Sequence, residues 1–221
     1  IATDAGGLSA EQAVTVAVAN VNEVPVITAG SSGTVAENAA TTTVIYTASA
    51  TDVDTSDTRS YSLKTGTGDD SLLDINASTG AVTLRASANY ETKASYTFTV
   101  IATDAGGLSA EQAVTVAVTN INEAPVFTTT NLSTTYTDTS ATDTFSNSTG
   151  TFSATDVDAS TTLIYGISDG TVSGSTITKV GTYGSLSINS ANGAYTYTPN
   201  NNAINALSTT ASDAFTISVS D

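Results

Sequence analysis

Between residues 112 and 119 the apolar side chains Val114, Val116 and Val118 fall at every second position, with Ala113 beside them, which is the period of a strand buried on one face. Similar short apolar runs, broken about every ten residues by clusters of Gly, Asn, Asp and Ser, predict strands near 26–29, 43–49, 59–64, 71–75, 81–85, 95–103 and 112–119. Asp104-Ala105-Gly106-Gly107 supplies the turn between the last two. Thr and Val, which suit a pleated surface, dominate, and no long helical pattern of Leu, Glu and Lys appears. The expected class is all-β, built as sandwiches with hairpin and Greek-key connections.

Residues 1–18, IATDAGGLSAEQAVTVAV, return letter for letter at 101–118, a period of 100 residues. The phase continues, since Asn20, Asn22, Glu23, Pro25 and Val26 recur as Asn120, Asn122, Glu123, Pro125 and Val126. Self-similarity at this period marks a tandem array. The expected division is residues 1–22 as the last strands of a preceding repeat, 23–122 as a complete sandwich, and 123–221 as a divergent relative of it. Pro25 and Pro125 mark the linkers, because proline keeps the chain extended and lacks a ladder donor. Residues 1–22 carry an apolar face without a partner sheet, and are expected to form a lone hairpin against a neighbour or to exchange into another copy.

Two segments tie the second unit to the first. Ser49-Ala50-Thr51-Asp52-Val53-Asp54 matches Ser153-Ala154-Thr155-Asp156-Val157-Asp158, and Ile75-Asn76 with Gly80-Ala81 matches Ile188-Asn189 with Gly193-Ala194. The offset drifts from 104 to 113 residues between them, which places insertions in loops.

Five Lys and Arg against 21 Asp and Glu give a net charge of −16, which repels nucleic acid and anionic membranes. No apolar run reaches the ~20 residues that span a bilayer. With no cysteine there is no disulfide framework, so core burial or a metal must supply stability outside the cell. With no His or Cys there is no conventional triad base or thiolate, and an enzyme is not expected. The sequons at Asn76, Asn131 and Asn147 read as coincidence in so Asn-, Ser- and Thr-rich a chain.

Val35-Ala36-Glu37-Asn38, Ala50-Thr51-Asp52-Val53-Asp54, Asn89-Tyr90-Glu91, Ala102 to Gly107 and Asn120-Ile121-Asn122-Glu123-Ala124-Pro125 together resemble a bacterial cadherin-like repeat. Gly181 to Leu186, Asn192 to Pro199 and Asp213 to Asp221 resemble the VCBS repeat of giant secreted RTX-type bacterial adhesins. The first resemblance implies calcium (Ca2+) at the junctions between tandem cadherin/Ig-like sandwiches in a linear array. Carried over residue by residue, the complete junction uses Glu37 and Glu91, then Asn122 and Glu123, then Asp156, Asp158 and Asp221. A truncated junction uses Asn22 and Glu23 with Asp52, Asp54 and Asp104, and without upstream glutamates it is expected to be weaker or empty. Asp138 is the nearest counterpart of Glu37 in the second unit, where the Asn-Tyr-Glu segment has no equivalent.

Elementary chemistry points the same way. Calcium takes about 6–8 oxygen ligands, and no one loop here offers so many, so the donors must converge from several segments. Simpler readings stand beside this one. The Asp-x-Asp pairs could be turn formers, the asparagines linker turn residues, and Glu111 a solvating charge. An EF-hand fails, because its twelfth position falls on Leu63 from Asp52 and on Ile167 from Asp156. Tyr183, Tyr195 and Tyr197 suit packing better than sugar binding. The Thr41 to Thr43 and Thr128 to Thr130 runs lack the spacing of a flat ladder. The expected function is a calcium-stiffened extender of a secreted or surface-attached bacterial adhesin in adhesion and biofilm formation, with neighbouring repeats as partners. The alternative is a module that recognises carbohydrate on surface glycans or other copies of itself.

Overall fold

A computed structural model describes residues 1–221 apart from 55–56, 130–132 and 159–160, so Asn131 and Thr130 lie outside the described residues. The chain forms two compact units, Ile1–Asn120 and Ile121–Asp221. Among the described residues, no helix is long and apolar enough to cross a membrane.

Unit 1 opens with β1 (Ala2–Thr3), β2 (Ser9–Ala10), β3 (Val26–Ile27), β4 (Ser32–Ala36), β5 (Val44–Thr47), β6 (Ala50–Thr51) and β7 (Ser60–Leu63). A single 3-10 turn at Asp70–Leu72 leads into β8 (Leu73–Ile75) and β9 (Ala81–Leu84), and the long hairpin β10 (Ser95–Thr103) and β11 (Ser109–Thr119) closes it. One layer runs β4-β11-β10-β7 and the other β5-β9-β8, with β3 paired to β6. Tyr96 faces Val116 and Phe98 faces Val114 across the hairpin. Directly opposed residues share a face, so these side chains enter one core with Val35, Ile45, Tyr46, Leu73 and Val82. Sequence patterning overlooks β4, which has a glycine and one fully buried side chain, Val35; it is a strand because it pairs parallel to β11.

The duplicated segment reveals what tertiary context contributes. Asp4 and Asp104 build the same turn: each backbone N–H donates to the carbonyl of Leu8 or Leu108 (2.8 and 3.0 Å), and each Oδ1 accepts from the N–H of that leucine (2.9 and 2.8 Å). Beyond the turn the copies part. The first pairs only Ala2 with Ala10 and Thr3 with Ser9, while the second zips nine pairs from Ser95↔Ala117 to Thr103↔Ser109. Val14, Val16 and Val18 are 81%, 78% and 91% exposed, whereas Val114, Val116 and Val118 are 2%, 0% and 4% exposed. The expected lone hairpin is therefore present only at its turn. An isolated two-stranded ribbon has too little to bury.

Unit 2 contains β12 (Val126–Phe127), β13 (Ser148–Thr151), β14 (Ala154–Thr155), β15 (Ile164–Ile167), β16 (Thr171–Ser173) and β17 (Thr176–Val180). Then come β18 (Gly184–Asn189), β19 (Ala194–Pro199), the one-turn helix α1 (Asn201–Ile204) and β20 (Ile217–Ser220). A five-stranded sheet runs β13-β19-β18-β17-β16, β15 pairs with β20, and β12 with β14. The drift in offset is not absorbed in loops, as expected, but in the hairpin β16–β17, which adds two strands to the edge of the sheet. The core is smaller, with Tyr165, Ile167, Leu186 and Ile188 buried at its centre.

The Asn-to-Gly match between the units is a turn with two constraints. Gly80 and Gly193 have φ of 71° and 70°, and a Cβ on either would come within 2.3 Å of a backbone oxygen, that of Ala48 or Phe152. Each glycine N–H donates to the asparagine carbonyl four residues back (2.8 and 2.9 Å), and each glycine carbonyl accepts from the N–H of Ala48 or Phe152 (2.9 Å in both). Gly80→Ala combines a left-handed φ with a backbone collision, and should cost unit 1 about 2–4 kcal/mol in denaturant unfolding.

Asp69 stiffens the approach to β10. Desolvation raises its carboxyl, but a hydrogen-bonded ion pair with Lys93 (2.8 Å) and the N–H of Thr97 (2.8 Å) outweigh it and hold the carboxyl below its ordinary value. A depressed native pKa gives stability that is complete above the unfolded value and is lost as pH falls through the native one. Asp69→Ala should therefore cost about 1–3 kcal/mol near neutrality, and the gap from the parent should close as pH drops below about 4 in a pH series of urea melts. Glu111, expected as a lone surface charge, accepts from Lys64 Nζ at 2.7 Å; with both side chains nearly half exposed the pair adds little.

Candidate metal centre

In unit 1 one strand pairing and one turn assemble the acidic pole. β3 and β6 set Val26 opposite Thr51, so the chain just before Val26 runs past Asp52 and Asp54. Asp104 sits where β10 ends, fixed by its turn. Carboxylate oxygens of Asp52, Asp57 and Asp104 lie within 4.8 Å of one another. Like charges about 4–5 Å apart cost on the order of 1–4 kcal/mol per pair at intermediate dielectric, so the pole needs a cation or convergent donors.

Donors converge here. Asn22 Nδ2 donates to Asp104 Oδ2 (2.9 Å) and Asn20 Nδ2 to Asp54 Oδ1. The N–H of Glu23 donates to Asp54 Oδ2 (3.3 Å), that of Asp54 to Asp52 Oδ1 (3.0 Å), and that of Ala105 to Asp57 Oδ1 (3.1 Å). Desolvation raises the Asp104 carboxyl, but the Asn22 amide and the N–H groups of Leu108, Gly107 and Gly106 together hold it below its ordinary value. One acceptor remains: Asp52 Oδ2 is buried and accepts no hydrogen bond from any described residue. A buried carboxylate oxygen without a donor is costly unless a cation meets it. The all-oxygen set suits a hard cation such as calcium, and turning the Asn22 amide over would present its Oδ1 as a further ligand.

Unit 2 repeats the arrangement. Asn122 Nδ2 donates to Asp221 Oδ2, the Glu123 N–H to Asp158 Oδ2 (2.8 Å), and the Asp158 N–H to Asp156 Oδ1 (2.8 Å). Asp156 Oδ2, like that of Asp52, is buried without a donor among the described residues. The recurrence of backbone donor, Asx turn and orphaned oxygen weighs against a set of mere turn formers. Glu37 is buried beside the end of β11, where its N–H donates to the Thr119 carbonyl (3.1 Å). Its Oε2 accepts from the Tyr90 N–H (3.0 Å), and its carboxylate lies within 4.8 Å of that of Glu91.

Asp57 is a functional candidate that pattern comparison misses. The position matched to it in unit 2 is Thr161, whose hydroxyl donates to the Asp158 carbonyl (3.3 Å), so comparing the repeats hides it. The available signal was its spacing, three residues after Asp54. Tyr195 and Tyr197 stand opposite Ile188 and Leu186 on the inner face of the five-stranded sheet and pack against the core. Asn76 is engaged in its own turn, its Oδ1 accepting from Ser78 and Thr79 (3.0 Å each).

A model of the cadherin domain matches residues 31–119. Among solved structures, the chain is similar to Drosophila N-cadherin EC1-4 (19% identity, 90% of this chain, 45% of that one, TM-score 0.58). It is also similar to human Protocadherin-24 EC1-2 (21% identity, 90% and 94%, TM-score 0.56) and to human CDH23 EC21-23 (20% identity, 81% and 55%, TM-score 0.53). The chain spans about half the length of the protocadherin gamma and N-cadherin fragments that it matches. No curated protein matches it. Residues 31–119 thus match the cadherin domain, and the chain as a whole has the tandem β-sandwich fold seen in these structures.

Proposed function

We propose that this chain is an extender segment of a large bacterial adhesin, secreted or held at the cell surface, in which calcium stiffens successive sandwiches to support adhesion and biofilm formation. The observation that carries this reading is the orphaned, buried Oδ2 of Asp52 beside Asp57 and Asp104, with the same orphan at Asp156. In unit 1 the ligands are Asp52, Asp54, Asp57 and Asp104 with Asn22 and Glu23; in unit 2 they are Asp156, Asp158 and Asp221 with Asn122 and Glu123. Glu37 and Glu91, whose carboxylates meet within unit 1, are further donors to calcium. Bound calcium would supply the positive charge that these oxygens share. The partners on this reading are neighbouring repeats of the same chain, and the second unit takes the role of a VCBS-type repeat. Small-angle scattering with calcium and then with chelator tests it: the maximum dimension should become less sharply defined and shorter when calcium is withdrawn. An unchanged distance distribution would remove stiffening as the function.

A further inference from the structure

The acidic poles of the two units differ at one position. The pairs Val100↔Leu63 and Ile217↔Ile167 match β10 with β20, which makes Asp221 the counterpart of Asp104. Asp52 and Asp54 correspond to Asp156 and Asp158, and the remaining position holds Asp57 in unit 1 and Thr161 in unit 2. Unit 1 therefore offers a carboxylate at each of these positions, while unit 2 offers a hydroxyl at one of them. The extra carboxylate lies where charge counts. Oxygens of Asp52, Asp57 and Asp104 come within 4.8 Å of one another, whereas Asp156, Asp158 and Asp221 form no such triad among the described residues.

Local hydrogen bonds explain why the exchange is not neutral. Both loops use the carbonyl of their second aspartate as an acceptor. In unit 1 the Asp54 carbonyl accepts from the backbone N–H of Asp57 (2.9 Å), which leaves the Asp57 carboxylate to reach the pole. There its Oδ1 accepts from the N–H of Ala105 (3.1 Å), next to Asp104, and from that of Thr58 (2.9 Å). In unit 2 the Asp158 carbonyl accepts instead from the Thr161 hydroxyl (3.3 Å), so that this side chain is spent within its own loop. Affinity for calcium follows the number of charged ligands as well as the rigidity of the site. We infer that this position sets the calcium threshold of each repeat: the charge of Asp57 lowers the concentration at which unit 1 fills, and Thr161 leaves unit 2 without that contribution. The inference rests on the calcium reading above and adds to it how one repeat is tuned apart from another while the rest of the pole is kept.

An anchoring role for Asp57 at Ala105 needs only an acceptor, which asparagine also supplies; a role through charge needs the carboxylate. The test is an NMR titration of the isotope-labelled chain with calcium chloride, starting from metal-stripped protein. The N–H groups of Ala105 and Leu108 report on unit 1, and those of Glu123 and Asp158 on unit 2. Asp57→Asn should move the midpoint of the unit 1 reporters about tenfold higher in calcium and leave those of unit 2 in place. Thr161→Asp should move the unit 2 midpoint about tenfold lower, a gain that a damaged fold cannot produce. Midpoints that stay where they are in both variants, while the parent responds to calcium, overturn the inference and leave the calcium reading standing. Parent reporters that ignore calcium altogether overturn both.

Discussion

Val116→Asp should unfold unit 1, while Val16→Asp, in an identical stretch of sequence, should leave its transition within about 0.5 kcal/mol of the parent. Val116 is completely buried opposite Tyr96, between β4 and β10, so a carboxylate there has neither water nor a partner. Burying an unpaired charge belongs to the tail of substitutions that cost more than about 4 kcal/mol, out of a total of roughly 5–15 kcal/mol for a domain. Val16 meets no core, and aspartate there exchanges one solvated side chain for another. Urea unfolding followed by circular dichroism on the two variants makes the comparison. Equal effects would mean that residues 9–18 are packed in solution as their duplicate is, and the contrast drawn between the two copies would fall.

The second large effect expected is thermal stabilisation by calcium. Extracellular calcium modules bind at about 10⁻⁴–10⁻³ M, so about 10 mM calcium should stabilise each loaded unit by ~1.4–2.7 kcal/mol. For a domain of this size that is a rise in Tm of roughly 5–20 °C. Asp104→Asn should abolish most of the rise in unit 1, because Asp104 is one of three carboxylates that meet there. Glu11→Gln, on an exposed residue, should behave as the parent. Calorimetry in calcium, in magnesium and in chelator separates a site from general screening: an equal rise with magnesium, or one that persists in Asp104→Asn, would assign the effect to screening.

The duplicated segment sets the limit of what pattern alone conveys. Its turn is legible because Asp104 and Gly107 form it from local hydrogen bonds, and Asp4 and Gly7 form it again without any core. Its strands are not, since the same letters give nine paired residues in one place and two in the other. The alternation of Val114, Val116 and Val118 states which face would be buried; only β4 and β10 supply something to bury it against. β4 escaped notice for the converse reason, being a strand by its neighbour's pattern rather than its own. At the candidate centre, the residues singled out by their recurrence are hydrogen-bonded neighbours, Asn22 with Asp104 and Asp52 with Asp54 in one unit, Asn122 with Asp221 and Asp156 with Asp158 in the other. Asp57 was not among them, because the matched position in unit 2 holds Thr161 and the two repeats do not share the carboxylate. The hairpin β16–β17 was mistaken for loop because an insertion of nine residues is long enough to add two strands to a sheet edge, and an offset does not say which.

The parallel pairing of β4 with β11 has a mechanical consequence. Ser32 to Ala36 lie in register with Thr115 to Thr119, one strand where the chain enters the four-stranded sheet and the other where it leaves. Tension applied to those two ends acts along the strands in opposite directions, so all the bonds of the ladder are sheared together rather than peeled one at a time. A pulling force then meets its resistance at β4 and β11, the first and last strands of that sheet in chain order, before the core behind them is disturbed.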